Sequence, residues 1–146
     1  MDQKNFFFLP HVLAVESGQA VEFRNSDVAN HGVRASSLEP QNQFNVMIPF
    51  GERYTHRFVT SKHPVAIGCP IHSAMAAWIF AFDHRYYAVT DNAGRFTLPS
   101  VPVGRYTLHV HHPDGGLVKR EAVILKAGET VRLGINFHDG DRKTGT

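Results

Sequence analysis

Cysteine, excess charge and long apolar runs are nearly absent from this chain of 146 residues. Its single cysteine, Cys69, excludes an internal disulfide. No run approaches the roughly 20 consecutive apolar residues that a membrane-spanning helix needs. The formal net charge is only +2, so nothing in the composition points to a nucleic acid partner. Roles in binding metals, small molecules or other proteins remain open.

Glycine, proline and histidine are well represented instead. The 12 Gly, 8 Pro and 42% hydrophobic residues are typical of a turn-rich β protein with one or two small domains. Histidine as a residue type is charged only in part near neutral pH, so with 10 His the nominal isoelectric point of 8.9 indicates no more than a mildly basic surface. Composition therefore limits the fold class and leaves the function to the motifs.

Hydrophobic patterns predict strands along most of the chain, in some segments by alternation and at residues 65–68 and 78–82 by short apolar runs typical of buried strands. In the first half they fall at residues 12–15, 21–24, 44–48, 54–59, 65–68 and 78–82. In the second half, shorter strands alternate with tight turns, the clearest of which is the D-N-A-G turn at residues 91–94. The strands predicted there are residues 87–90, 95–98, 105–110, 121–125 and 130–137. This pattern predicts an all-β fold.

One short segment brings together three side chains that bind metals. The sequence C-P-I-H-S-A-M at residues 69–75 holds the Cys69 thiolate, the His72 imidazole and the Met75 thioether. His31 follows the strand-like residues 20–24, in a loop that the end of a sheet would hold. Two imidazoles and a thiolate with a weak axial thioether favour copper. Zinc is the weaker interpretation, because structural zinc sites gather more thiolates or imidazoles.

Each of these residue types also has an ordinary structural role. A cysteine alone is more often a small buried hydrophobic residue, and a methionine alone more often fills the core. Their shared loop makes the ligand interpretation more economical than burial or nucleophilic catalysis at Cys69. A lone cysteine also excludes a dinuclear copper centre, which needs two bridging thiolates. His109 and His111 share one face of a predicted strand. Either this face is simply exposed to solvent, or the two histidines bind a second metal.

The four ligand candidates resemble those of the cupredoxins, the small type 1 blue copper proteins. The spacing C-x-x-H-x-x-M is similar to the short ligand loop of the amicyanin type. The resemblance extends to bacterial cupredoxin-domain proteins of the "methylamine utilisation" type. Their patterns F-x-P-H-x-L, F-x-N-S-D, G-C-x-I-H and A-x-T-D-x-x-G-x-F occur at residues 8–13, 23–27, 68–72 and 88–96.

The resemblance implies a cupredoxin Greek-key β-sandwich with one mononuclear type 1 copper, bound by His31, Cys69, His72 and Met75. It implies an outer-sphere electron carrier and no enzyme, because protein ligands fill all four coordination positions. His72, whose edge approaches solvent, is then the electron portal to redox partner proteins. A copper carrier or storage protein without redox turnover is the alternative, and a metal-free structural module is a third.

Three neighbours of the ligands are expected to support them. Cupredoxins commonly place Asn directly after the first His, whereas here Asn30 precedes His31 and Gly32 follows it. Proline stands at position 70, so Ile71 keeps a backbone N–H that is expected to donate to the Cys69 sulfur and raise the potential.

The second half resembles the transthyretin-like or carboxypeptidase-regulatory β-sandwich, through the motif T-D-x-x-G-x-F…P-x-G-x-Y-x-L at residues 90–108. The predicted division is a cupredoxin domain at residues 1–83, this β segment at 84–138 and a polar tail at 139–146. The segment is short for a sandwich of about 100 residues. It is therefore expected to pack against the first domain as one rigid unit.

Cellular location follows from the resemblance alone. Because the family is usually exported, we expect a periplasmic or otherwise exported mature chain, with its signal peptide absent from this sequence.

Overall fold

The computed structural model describes residues 1–142, which form strands, turns and two short 3-10 segments, with no α-helix in that range. The predicted all-β class is therefore confirmed. Two compact units comprise Met1–Thr97 and Leu98–Thr146. In chain order the strands are β1 (Asp2–Lys4), β2 (Phe7–Leu9), β3 (Val12–Glu16), β4 (Ala20–Asn25), β5 (His31–Ser36), β6 (Phe44–Ile48), β7 (Arg53–Arg57), β8 (Val65–Gly68), β9 (Ala76–Phe82), β10 (Gly104–His112) and β11 (Leu117–Leu125).

Five strands of the first unit form a mixed sheet in the order β3-β9-β8-β5-β6. β3 runs parallel to β9, and the other neighbours are antiparallel. The strands predicted at residues 12–15, 44–48, 65–68 and 78–82 all lie in this sheet. In β9, Ala77, Ile79 and Ala81 are buried, and the alternate residues 78, 80 and 82 are half-buried. Apolar residues on both faces are what a central strand requires.

The other four strands of this unit form a second sheet in the order β2-β1-β4-β7. β4 alternates clearly, with Val21, Phe23 and Asn25 buried and the intervening residues more exposed. The hairpin of β1 and β2 was not predicted from the sequence, because its strands of three residues are too short to show a period. β1 pairs in parallel with β4, which fixes the hairpin to the sheet.

The two sheets of the first unit share one hydrophobic core. Phe23 lies at its centre, with its ring centroid 5.7 Å from that of Phe44 and 6.3 Å from that of Phe58. Burying such rings is among the largest single contributions to a small core. This β-sandwich holds the ends of β5 and β8 in fixed positions, and the candidate ligands lie at those ends.

The second unit contains one long hairpin. β10 and β11 pair continuously, from Gly104 opposite Leu125 to His112 opposite Leu117, which confirms the strands predicted at residues 105–110 and 121–125. The strands predicted at residues 130–137 in this unit, at 87–90 in the first, and at 95–98 across the sequence boundary between the units are wrong. Residues 88–95 and 126–134 are exposed, so their alternation has no buried face to stabilise a strand.

The turn predicted at residues 91–94 is confirmed. Asp91 Oδ1 accepts the N–H groups of Ala93 and Arg95 at 2.9 and 2.8 Å, and Gly94 has a positive φ of 75°. Residues 143–146 of the predicted polar tail lie outside the described residues. Within residues 1–142, no helical segment has the length and apolar character that a bilayer span needs.

Candidate metal centre

Three of the four predicted ligands converge where β5 begins and β8 ends. His31 Nδ1 lies 3.0 Å from His72 Nδ1. Cys69 Sγ lies 3.6 Å from His72 Nδ1 and 3.9 Å from His31 Nδ1. His31 and Cys69 are buried, and His72 is half-buried. In the part of the chain that the structure describes, this is the one cluster of three or more His, Cys or acidic side chains able to share a metal ion.

Strand pairing explains how the ligand loop folds. Gly68 of β8 lies opposite Ala76 of β9, so residues 69–75 connect two adjacent antiparallel strands. The Cys69 N–H donates to the Met75 carbonyl at 3.3 Å, and the Met75 N–H donates to the His72 carbonyl at 3.0 Å. These bonds close the loop and turn its side chains toward β5, the other neighbour of β8.

The remaining ligand comes from β5 itself. His31 is the first residue of this strand and not part of the preceding loop, where we predicted it. Strand pairing with Ile48 of β6 holds its backbone, and its side chain is 0% exposed. Strand pairing and burial thus fix the position of this candidate ligand.

Met75, the fourth predicted ligand, lies at the end of the loop. It is 2% exposed and belongs to the hydrophobic core. A buried thioether in this loop suits either an axial ligand or a core residue. Its role as a ligand stays a prediction.

A buried carboxylate that the sequence did not single out orients His31. Asp27 Oδ2 lies 3.0 Å from His31 Nε2. When Nε2–H donates to this oxygen, Nδ1 carries no proton and its lone pair is free for a metal. The pKa of Asp27 lies below its usual value, chiefly because the Phe6 N–H donates to the carboxylate and also because of the bond with His31.

Asn25 fixes the loop that carries Asp27. Its Oδ1 accepts the Asp27 N–H at 3.0 Å, and its Nδ2 donates to the carbonyls of Ala29 and Ile48 at 2.9 and 2.8 Å. The only sequence signal for this arrangement is the N-S-D run directly after a strand, which is typical of a side-chain-capped turn.

Gly32 lies where β5 and the ligand loop approach most closely. Its N–H donates to Cys69 Sγ at 3.4 Å. A Cβ built on Gly32 would lie 2.9 Å from the Pro70 ring and 2.9 Å from the Val46 carbonyl oxygen. Only glycine fits there without displacing a neighbour. There is therefore a steric reason for Gly32 at the position where cupredoxins commonly have Asn.

The other two predicted supports lie at the surface. Asn30 is exposed, and its Oδ1 accepts the Phe50 N–H at 3.3 Å, which joins two loops. Ile71 is 53% exposed. The hydrogen bond predicted from the Ile71 N–H to the Cys69 sulfur stays a prediction.

The spacing and chemistry of the donors fit one copper ion. Metal bonds of about 2.0 Å to nitrogen and about 2.3 Å to sulfur allow donor atoms to lie up to roughly 4.3 Å apart. All three separations between His31, Cys69 and His72 are shorter than this. Two imidazoles and one thiolate are also the trigonal set of blue copper sites, whereas structural zinc sites are closed by four strong ligands.

Comparison with known sequences finds one family model that matches the later part of the chain. Residues 76–138 match the model of the carboxypeptidase regulatory-like domain. The match begins at Ala76, the first residue of β9, and ends beyond β11. A search of curated proteins finds no match.

Comparison with solved structures identifies a fold that spans 56% of this chain. A reduced Cu(I) form of an amicyanin mutant at pH 4 is 17% identical, over 56% of this chain and 78% of that one, with a TM-score of 0.50. A purple cupredoxin from Nitrosopumilus maritimus is 19% identical, over 53% of this chain and 84% of that one, with a TM-score of 0.46. A copper-containing nitrite reductase from Thermus scotoductus is 26% identical, over 55% of this chain and 21% of that one, with a TM-score of 0.48.

At this level of identity the amicyanin likeness concerns the fold alone. It agrees with the two-sheet sandwich. The chain thus has a cupredoxin fold with a His-Cys-His cluster formed by His31 of β5 and by Cys69 and His72 of the loop at residues 69–75, and its residues 76–138 match the carboxypeptidase regulatory-like domain.

Proposed function

We propose that this protein binds one type 1 copper ion and carries electrons by outer-sphere transfer. The observation that carries the proposal is the convergence of two imidazole Nδ1 atoms and one thiol sulfur at 3.0 to 3.9 Å. His31, Cys69 and His72 are the proposed ligands in the trigonal plane, and Met75 is the proposed axial ligand. Copper bound there would supply a one-electron couple.

The protein's own contribution is a rigid and dry set of donors. Asp27 selects the His31 tautomer that leaves Nδ1 available. The Gly32 N–H donates to the Cys69 sulfur and holds it in place. Burial of His31 and Cys69 excludes water from the donor side. A site that changes little between two oxidation states transfers an electron with little rearrangement.

His72 is the proposed electron portal. His72 is half-buried, whereas the other two clustered donors, His31 and Cys69, are buried. Next to it, Ile71 is 53% exposed and offers apolar surface for a brief contact with a redox partner protein. Transient redox encounters bury little area, so a small patch is enough. An exported, periplasmic location belongs to the same proposal.

The proposal describes a carrier and no enzyme, because four protein ligands would leave no open coordination position for a substrate. The decisive experiment is cyclic voltammetry of the copper-loaded protein. We expect a reversible one-electron couple. Bound copper that stays Cu(I) and resists reversible oxidation would instead identify a storage or carrier protein. Failure to bind copper would identify a metal-free β module.

We also propose the division into a copper-binding domain at residues 1–83 and a carboxypeptidase-regulatory-like segment at 84–138. The stacking of Tyr87 on Phe82, with ring centroids 4.9 Å apart, supports a connection without a flexible linker. Limited proteolysis is the test. Early cleavage between residues 82 and 91 would show a flexible linker.

A further inference from the structure

The tip of the N-terminal hairpin has an unusual backbone. Asn5 and Phe6, which join β1 to β2, have positive φ angles of 53° and 61°. Two-residue hairpin turns with two positive φ angles favour Asn followed by Gly. Phenylalanine in the second position is therefore strained, since its Cβ crowds the backbone. Strain of this kind persists where surrounding contacts over-determine it.

The strained turn brings Phe6 to the donor cluster. Its ring contacts His31 and His72 edge-on, with centroids 5.3 and 5.0 Å apart. Its N–H donates at 2.9 Å to Asp27 Oδ2, the same oxygen that lies 3.0 Å from His31 Nε2. One residue therefore contacts both candidate imidazole ligands and the carboxylate that orients one of them.

Hydrophobic burial does not explain this placement. Phe6 remains 47% exposed, so much of its ring faces solvent while its inner edge covers the imidazoles. Phe7 and Leu9, on the same hairpin, are 65% and 48% exposed. Neither Phe7 nor Leu9 has a positive φ angle. Within the hairpin the positive φ angles are confined to the two turn residues, of which Phe6 reaches the donor cluster.

We propose that Phe6 closes the metal centre on its histidine side. The ring excludes water and small anionic ligands from the two imidazoles, and the backbone N–H holds Asp27 in the position that orients His31. Phe6 is thus a positioning residue and a barrier, and it contributes no ligand atom. The first test of this inference rests on the proposed copper function. The second test uses the metal-free protein and does not depend on copper binding.

The first test uses Phe6→Gly with the copper(II) protein. Glycine accepts the positive φ and keeps the N–H, so the change removes the ring alone. The probe is sodium azide, a small anion that would have to compete for the copper with its weakest protein ligand, titrated into the protein and followed by its visible spectrum. We expect Phe6→Gly to bind azide at least about 10-fold more tightly than the wild type, as expected when the apolar shell around a metal is opened.

The matched control is Phe7→Ala, which removes a ring of equal size from the same hairpin. We expect its azide affinity to equal that of the wild type. Equal azide affinities in the wild type and Phe6→Gly would overturn the proposal. An equally large gain in azide affinity in Phe7→Ala would also overturn it, because the barrier would then belong to the hairpin as a whole.

The second test needs no metal. Diethyl pyrocarbonate modifies exposed imidazoles, and peptide mass spectrometry resolves each site. In the metal-free protein we expect His72 modification to be several-fold faster in Phe6→Gly, with the exposed His109 as an internal reference of unchanged rate. An unchanged His72 rate would contradict the closure whether or not copper binds. Phe6→Ala, which also lacks the ring, provides the same comparison if the glycine variant folds poorly.

Discussion

The two units of this protein differ in how much they bury. Every buried side chain that the structure describes lies in the first unit, between Gln3 and Ala81. In the described part of the second unit, the β10–β11 hairpin has half-buried and exposed side chains. Tyr106 and Ile124, for example, are 39% and 52% exposed. Side-chain packing therefore defines the first unit, whereas continuous backbone pairing defines the described hairpin of the second.

The difference shows where the rigidity of the candidate site originates. His31 and Cys69 lie on or next to strands whose inner faces form the core. Their donor atoms are held by packing and by hydrogen bonds to buried groups. Substitutions in the core should therefore affect stability and metal binding together, and equivalent substitutions on the second hairpin should affect neither.

The largest expected effect is that of Phe23→Ala in the first core. Phe23 is 0% exposed and contacts two other rings, so we expect a loss of about 3–5 kcal/mol in the free energy of unfolding. Ile124→Ala on β11, at a site 52% exposed, should change it by about 0.5 kcal/mol or less. Urea unfolding followed by circular dichroism measures both. Similar losses in the two variants would contradict the comparison.

A smaller effect is expected from Gly32→Ala. The added methyl group would meet the Pro70 ring and the Val46 carbonyl at 2.9 Å, which we expect to cost about 1–3 kcal/mol as overpacking does. It should also weaken copper binding, because the N–H that contacts Cys69 would shift. In the second unit, a Cβ on Gly134 would meet nothing within 4 Å. Gly134→Ala should therefore be neutral in urea unfolding, and equal costs at the two glycines would show the close approach to be unimportant.

The smallest effect concerns pH. The His56 ring packs between Phe44 and Phe58, with centroids 4.5 and 4.7 Å away. Burial lowers the pKa of His56 from 6.5, and a hydrogen bond to the Gln41 carbonyl partly opposes this. The unfolded chain then binds more protons below pH 6.5. This contribution to stability is present above pH 6.5 and is lost as the pH falls through the lower folded value.

His56→Gln removes this titration. We expect the free energy of unfolding of the variant to decrease less than that of the wild type as the pH is lowered from neutral. Urea unfolding at several pH values measures the difference. An identical pH dependence would show that His56 titrates alike in the folded and unfolded chains.

The same contrast explains which features were predictable from sequence. β4 was predicted because apolar and polar residues alternate along it, and β9 was predicted because residues 78–82 are a short run of apolar residues. The turn at Asp91 was predicted because it is stabilised by hydrogen bonds among its own residues, such as that from the Ala93 N–H to Asp91 Oδ1. The strands predicted at residues 87–90, 95–98 and 130–137 were wrong, because local alternation does not reveal whether a partner strand or a buried face exists.

The donor cluster was partly predictable for a similar reason. Cys69 and His72 share one loop, so their proximity follows from spacing alone. Asp27 and Phe6 were missed, because their positions depend on pairing between β1 and β4, which are distant in sequence. No sequence pattern indicates a phenylalanine with positive φ. The features missed at the site are thus those created by tertiary structure.

The most direct test of the copper assignment is the visible spectrum after copper(II) is added to the wild type and to Cys69→Ser. We predict that the wild type binds one equivalent and becomes blue or green, with an intense thiolate-to-copper band. We predict that Cys69→Ser lacks this band, since an alkoxide or hydroxyl cannot replace the thiolate donor. A colourless wild type, or a variant that keeps the intense band, would contradict the account.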